Sequence, residues 1–519
     1  MNEPGRQGPS ADELPPPTAK GRRVQKRPAL IRPVLIAVAA AGLAIGATKA
    51  QGTVELAAPT ERAGLPQVSQ VLVESAALVC PGQQRVGTQG MRDVAGTVQV
   101  TAAAAPEAAL AGLPRAAPDS GKVSLLDPAG HTTDSTDQRF EPVAVPAEGD
   151  APVVVSGEGG LAPGLAATQS WLHTGDDDRG FVLTPCLEPS ADVWLVAGGG
   201  GASRTERVVI TNPGANAVSV AVEVYGAEGP VDASERTAVS IPPRSRLSMS
   251  LDALAPDELR PGVHVIATGG VVSAVLSDAW IDGATARGAD DATAAAAPSR
   301  DLVVAGVESA PSGEGELVLR LVNPGDAEAL ARVTVLTARG PVQPAELRAV
   351  RVGAGSTLDV PLTLAVGSSG LRITSDRPLT AAVLSDRRQA TGDDREGDFG
   401  WAPALPPIAI SGGVVIPGPV RSGETRTLHL VGGPAGGDVT TTLGSGDSER
   451  SVNTRVAPLT AVSVPLGAAD RIWVSTNARD VRAAVTVAFS DKGVPYYSVV
   501  PVWSAPTTDT AVPVRQVTR

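Results

Sequence analysis

The sequence predicts an all-β protein made of tandem β-sandwich modules, immunoglobulin- or fibronectin-like in architecture, behind one N-terminal membrane segment. Three observations carry that prediction. Apolar residues alternate with a period of two, as in Val218, Val220, Val222 and Val224, which turns one face of a strand inward and the other outward. Glycine (57) and proline (45) make up close to a fifth of the 519 residues, a composition of many turns and few long helices. A module of roughly 107 residues recurs along the chain, with turn signals every 8–12 residues, as short-stranded sandwiches require. A β-propeller of four large blades is the alternative.

From the N-terminus, residues 1–33 read as a disordered, basic, cytoplasmic tail, polar and Pro-rich as far as residue 28. Arg22, Arg23, Lys26, Arg27 and Arg32 precede a charge-free run, Val34 to Thr48 (VLIAVAAAGLAIGAT), expected as a transmembrane signal anchor with its basic flank inside. Fifteen residues are short for a spanning helix, which needs about 20, and cleavage with secretion is the alternative. Thr48-Lys49-Ala50 is a poor cleavage site, however, and Lys49 can snorkel to the interface. Residues 49–75 read as a linker. Either way the bulk of the chain is expected outside the cell.

Four modules are expected at 76–190 (divergent), 191–300, 301–405 and 406–503, followed by a tail at 504–519. Asn212-Pro213-Gly214 and Gly229-Pro230-Val231 recur 111 residues later as Asn323-Pro324-Gly325 and Gly340-Pro341-Val342, with Gly433-Pro434 a weaker third copy. Asn-Pro-Gly between strand-like runs reads as hairpin chemistry, Pro presetting φ and Gly supplying a positive φ. Ser170, Ser277, Ser385 and Ser490 close equivalent runs at intervals of 107, 108 and 105.

Charge is unevenly divided. Residues 1–50 hold eight Lys/Arg against three Asp/Glu, a balance of +5, which leaves −17 on the remainder of a chain with net charge −12. Nucleic acid is excluded as a partner of that outer part, since phosphate binding needs a basic face. Cys80 and Cys186 stand alone, with no CxxC or Cys/His grouping for a metal, and pair as a disulfide in an oxidising compartment. Two buried free thiols are the other reading.

Motifs for chemistry are sparse. Asp176-Asp177-Asp178, Asp290-Asp291 and Asp393-Asp394 read as solvated crossing loops between modules, with calcium sites that stiffen the joins as the alternative, although a calcium loop normally spaces its ligands. The run Ala197 to Ser203 lacks the Lys-Ser/Thr of a phosphate loop and reads as a flexible turn. His131, His173, His264 and His429 show no metal-ligand spacing, and His173 alone lies near carboxylates. No nucleophile elbow or HExxH occurs. No catalytic, cofactor or metal residue is nominated. Trp171, Trp194, Trp280, Trp401, Trp473 and Trp503 are expected in core or intermodule packing rather than as sugar platforms.

The basic cluster before Val34–Thr48, Cys80-Pro81 with Pro185-Cys186, and the Asn-Pro-Gly strand pairs together resemble the actinobacterial domain-of-unknown-function 5719 family of membrane-anchored envelope proteins. That resemblance implies a basic cytoplasmic tail, one membrane segment and a long extracellular β-rich region, and brings no catalytic residue with it. The expected role is a single-pass, non-catalytic structural or binding protein of the cell envelope, with envelope glycan or envelope proteins as partners. The rivals are an envelope-metabolism enzyme with a site at a module junction, near His173 or the 391–397 loop, and a sensory or scaffolding ectodomain that works through its tail.

Overall fold

The structure is a computed structural model that describes residues 69–113, 120–175, 178–200, 203–231, 238–311, 314–392 and 395–511. The expected anchor at 34–48 lies outside the described residues. No helix among the described residues is long and apolar enough to cross a membrane.

After β1 (Ser69–Leu72), the first unit comprises β2 (Ser75–Cys80), β3 (Thr97–Ala103), β4 (Gly121–Leu126), β5 (Thr132–Thr136), β6 (Val143–Pro146), β7 (Val153–Gly159), β8 (Ala166–His173) and β9 (Gly180–Pro185). The second comprises β10 (Asp192–Val196), β11 (Arg204–Asn212), β12 (Val218–Gly226), β13 (Gly229–Pro230), β14 (Val239–Ile241), β15 (Ser245–Ser250), β16 (Gly262–Thr268), β17 (Ser273–Asp282) and β18 (Thr285–Ala292). The third comprises β19 (Ser299–Ser309), β20 (Leu317–Val322), β21 (Ala329–Thr337), β22 (Gly340–Val342), β23 (Val350–Val352), β24 (Thr357–Pro361), β25 (Gly367–Arg388) and β26 (Gly397–Pro403). The fourth comprises β27 (Ser411–Val415), β28 (Thr425–Gly432), β29 (Gly437–Ser445), β30 (Ser448–Val456), β31 (Ala461–Pro465), β32 (Arg471–Thr476), β33 (Val481–Asp491) and β34 (Val494–Val502), and β35 (Thr508–Ala511) ends the described chain.

All four units share one strand order. The first unit pairs β2-β7-β4-β5 in one antiparallel sheet and β6-β3-β8-β9 in the other, and the fourth repeats this as β27-β32-β29-β30 and β31-β28-β33-β34. The second gives β10-β16-β12-β13 and β15-β11-β17-β18. In the third, the 22-residue β25 serves both layers, pairing with β19 and β21 in its first half and with β20 and β26 in its second. The sandwich architecture is the one expected, but the order differs from the immunoglobulin ABED/CFG arrangement, so the likeness is one of architecture. With few aromatics available, each core is filled by Val, Leu, Ala and Ile, as with Val193, Leu195, Val263 and Val265 in the second unit.

The repeated Asn-Pro-Gly has a different purpose from the hairpin expected. It joins β11 to β12 and β20 to β21, strands of opposite layers. Neither Gly214 nor Gly325 has a positive φ. The asparagine is what the turn requires. Asn212 Nδ2 donates to the carbonyls of Asn216, Ile241 and Pro242 at 2.8, 3.1 and 2.9 Å, and its Oδ1 accepts the Gly214 N–H at 2.9 Å. Asn323 repeats all four bonds with Ala327, Val352, Gly353 and Gly325. Glycine follows because a Cβ there would lie 3.1–3.2 Å from that carboxamide oxygen. The tight hairpin is instead at Gly229-Pro230 and Gly340-Pro341, where φ is +139° and +119°.

Residues 69–511 form one compact unit, with the four sandwiches closed on themselves. The last strand of each, β9, β18, β26 and β34, packs beside the next, and β34 returns to β9. This central circuit is the one propeller-like element; around it stand two-layer sandwiches. β1 and β35, in the stretches expected as linker and tail, pair antiparallel from Ser69↔Ala511 to Leu72↔Thr508.

Arginines seal the seams by donating to neighbouring backbone carbonyls. Arg246 reaches Pro81, Gln83 and Val86 of the first unit at 3.1, 2.7 and 2.7 Å. Arg320 reaches Ala197, Gly198 and Pro261 of the second while Asp359 holds its other edge at 2.8 Å. Between the fourth and first units, Arg471 donates to Phe140 O at 2.8 Å and the Trp473 indole to Gly164 O at 2.9 Å. A five-donor planar fork suits such carbonyl clusters, which a lysine cannot match.

Replacing Asn323 by Ala should lower unfolding free energy by about 3 kcal/mol, because three carbonyls and one N–H lose their partner together. Asn323→Asp, which keeps the shape but loses both donors, should not rescue it. Denaturant titration of the two variants and the parent checks this.

Candidate functional site

Each strand of the central circuit is the edge of its sheet, so alternate N–H groups point away from any ladder partner into the middle of the molecule. Buried there, they need acceptors other than water. Side chains supply them. Asp398, at the start of β26, accepts the N–H of Phe181 from β9 at 3.0 Å, of Ala289 from β18 at 3.1 Å and of Tyr497 from β34 at 3.1 Å, as well as that of Phe399 at 3.1 Å. One carboxyl therefore binds backbone from all four units. Asp290 accepts the Trp401 N–H at 2.6 Å, and Ser498 Oγ accepts that of Leu183 at 2.9 Å. Burial pushes the Asp398 carboxyl up to about 8 against the lowering effect of its four donors, and holds Asp290 well above the usual carboxylate range.

Asp290 and Asp291 were expected in a solvated loop; the structure corrects this, placing both fully inside β18. Asp291 Oδ2 accepts the Thr184 hydroxyl and Oδ1 accepts Arg85 Nη2, both at 3.1 Å. The Arg85 guanidinium, 1% exposed, lies 4.2 Å over the Trp171 ring. Of the other acidic runs, Asp176, Asp177, Asp393 and Asp394 lie outside the described residues, and Asp178 pairs with Arg92.

The glycine run is pinned rather than flexible where described. Glu206 Oε1 accepts the N–H groups of Gly199 and Gly200, so an internal carboxylate fills the cradle that an external anion would need. Burial first, then Asp278, raises Glu206 to about 7.

The histidines stay apart. His131 is exposed beside Asp127, and His173 is half-buried with Nδ1 3.2 Å from Ala95 O. His264, in β16, stacks on Trp194 between Asp192 and Glu223. His429, in β28, is buried against Thr486 at 2.8 Å, and burial lowers its pKa. Among the described residues no group of three or more His, Cys, Asp or Glu is placed to hold a metal ion. Cys80 and Cys186 are bonded, with Cα atoms 4.5 Å apart, and the bond joins the first strand of unit one to the residue after its last. In the chain-entropy picture a loop of that size stabilises by about 4–5 kcal/mol. Trp171, Trp194, Trp401 and Trp473 are buried in core or seam.

A pocket of about 380 Å³ opens where β9, β18 and β34 end. Leu78, Leu165, Val272, Ala274 and Trp503 give it an apolar wall, and Glu188 and Asp192 lie among its polar lining. Sequence reasoning missed this site, because its lining comes from three units that only ring closure brings together. The sole cue was Trp503, set apart near the C-terminal end.

Fold and site define a closed ring of four sandwiches with a polar buried axis and one apolar axial pocket. A family of unknown function (DUF5719) matches residues 133–467, well over half of the chain, and the chain belongs to that family. No curated protein matches it. Among solved structures it is similar to a biofilm-associated protein's BSP domain, at 10% identity over 83% of this chain and 96% of the other, with a TM-score of 0.13, which establishes no common fold.

Two outcomes follow from the axis. Asp398→Asn sets an NH₂ group against two inward N–H donors, and should cost about 3–5 kcal/mol in chemical denaturation. Stability should also fall as pH rises. Asp398 and Glu206 have folded pKa values raised above 3.8 and 4.5, so their contribution is complete below those values and is lost as pH passes about 7 to 8. His429 is lowered, so its contribution is present above 6.5 and lost on acidification. Two raised carboxyls outweigh one lowered histidine, so melting temperature should fall as pH rises from about 5 to about 8.

Proposed function

We propose that the chain is a non-catalytic structural or binding protein of the cell envelope, held to the membrane by residues 34–48 with the ring outside. The observation that carries this reading is the Cys80–Cys186 bond, since a lone structural disulfide belongs to an oxidising compartment. The basic cluster supports it: residues 1–50 hold eight Lys/Arg, and positive charge flanking an apolar run stays inside. A family of envelope proteins was the expectation raised by the same residues.

Binding is favoured over catalysis by the character of the axial pocket. Its wall is mostly apolar, and neither His173 nor the 391–397 loop contributes to it. The most perturbed carboxyls, Asp290 and Asp398, are enclosed on the axis and already engaged by backbone donors. They hold the ring together rather than waiting for a substrate.

Protease added to intact cells tests the topology. An epitope placed before Met1 should survive while one placed after Arg519 is removed, and the Cys80–Cys186 bond should shift mobility on non-reducing gels. Protection of both epitopes, or reduced cysteines in freshly isolated protein, overturns the reading.

A further inference from the structure

The axial pocket has properties that narrow what it can take. Its apolar wall is rigid, because it is built from strand ends, four prolines (Pro185, Pro189, Pro501 and Pro506) and the Cys80–Cys186 region. At about 380 Å³ it has room for about a dozen methylene-sized groups at ~30 Å³ each. Trp503 lines it, and the Trp503 indole N–H is buried with no acceptor among the described residues. A buried donor without a partner is costly and rare. In the seams the indoles of Trp401 and Trp473 have their acceptors, Asp278 and Gly164 O, at 3.1 and 2.9 Å.

The polar part of the lining is acidic. Glu188 and Asp192 belong to it, and Asp509 acts on Glu188 from β35. Burial and Asp509 both raise the Glu188 carboxyl. Among the described residues no arginine or lysine lines the pocket, so an anionic ligand would meet repulsion.

We propose that this pocket binds the hydrocarbon part of an uncharged amphiphile, an alkyl or isoprenoid chain of about a dozen carbons whose hydroxyl, ether or carbonyl oxygen accepts the Trp503 N–H. The proposal deepens the binding reading and rests on it. Pro506 lines the pocket one residue before Thr507, whose carbonyl accepts the Val73 N–H at 3.2 Å, so the pocket lies beside the β1–β35 pair.

The test uses the full chain in lipid nanodiscs, with empty discs correcting for partition. Two probes are 2-bromododecan-1-ol, whose bromine sits beside its hydroxyl and quenches tryptophan on contact, and 2-bromododecanoate, its anionic counterpart. The alcohol should quench saturably and raise the melting temperature, and the carboxylate should bind at least tenfold more weakly at pH 8. Ala294→Phe, which fills the pocket from a half-buried position, should abolish saturable quenching while keeping the parent melting temperature. Trp503→Phe keeps an aromatic side chain but removes the N–H, and should weaken the alcohol's affinity, read from the melting-temperature rise, about tenfold, the effect of one hydrogen bond. Equal quenching in the Ala294→Phe protein, or equal binding of the two probes, overturns the proposal. So does a lack of saturable quenching, the result expected if a segment of the chain itself fills the space. None of these outcomes alters the protease result, so failure here is distinguishable from failure of the envelope reading.

Discussion

The architecture depends on how four sheet edges are made to meet without water. An edge strand normally leaves its outward N–H groups to solvent, and a barrel avoids the problem by pairing edge with edge. Here four edges converge on one axis, and a sandwich at each position prevents them from pairing. Short acidic and hydroxyl side chains fill the gap, and Asp398 does most of it by gathering N–H groups from every unit. Packing alone cannot close such a ring, because apolar residues on the axis would leave those donors orphaned.

The same constraint explains the use of arginine at the seams. Each seam sets loop carbonyls of one unit against a strand of the next, where a ladder is impossible. Arg246 and Arg320 solve this with one side chain answering three carbonyls. The cores need no comparable device. They are aliphatic, and several run across seams, as where Phe181 and Leu183 of the first unit join the core of the fourth. Units joined this way are four in sequence but one in packing.

Much of the fold was legible in the sequence, and the failures share a cause. Period-two valines, the recurrent Asn-Pro-Gly and the evenly spaced Ser170, Ser277, Ser385 and Ser490 announced strands and repetition because they depend only on local geometry. Asp290-Asp291 read as loop because adjacent carboxylates are ordinarily solvated, and nothing local marks them as acceptors for a neighbour's backbone. The glycine run failed similarly, since its occupant, Glu206, is an ordinary strand residue until the loop folds over it. Asn-Pro-Gly was placed correctly but explained wrongly, as the signal lay in the asparagine's carboxamide rather than in a glycine dihedral. The axial pocket had no local signature, as its wall is assembled from ends of strands distant in sequence.

The position of the disulfide has a mechanical consequence. Tension entering from the N-terminal side first meets β1, held by a four-residue antiparallel pair whose outermost rung is Ser69↔Ala511, so it peels open rung by rung. Beyond it the load enters β2, paired with β7, and at the end of that strand crosses covalently from Cys80 to Cys186, which is followed directly by the second unit. The first sandwich beyond β2 is bypassed. A ring clasped in this way can shed the β1–β35 pair under pull and recover it, while the covalent link carries the load past most of the first unit.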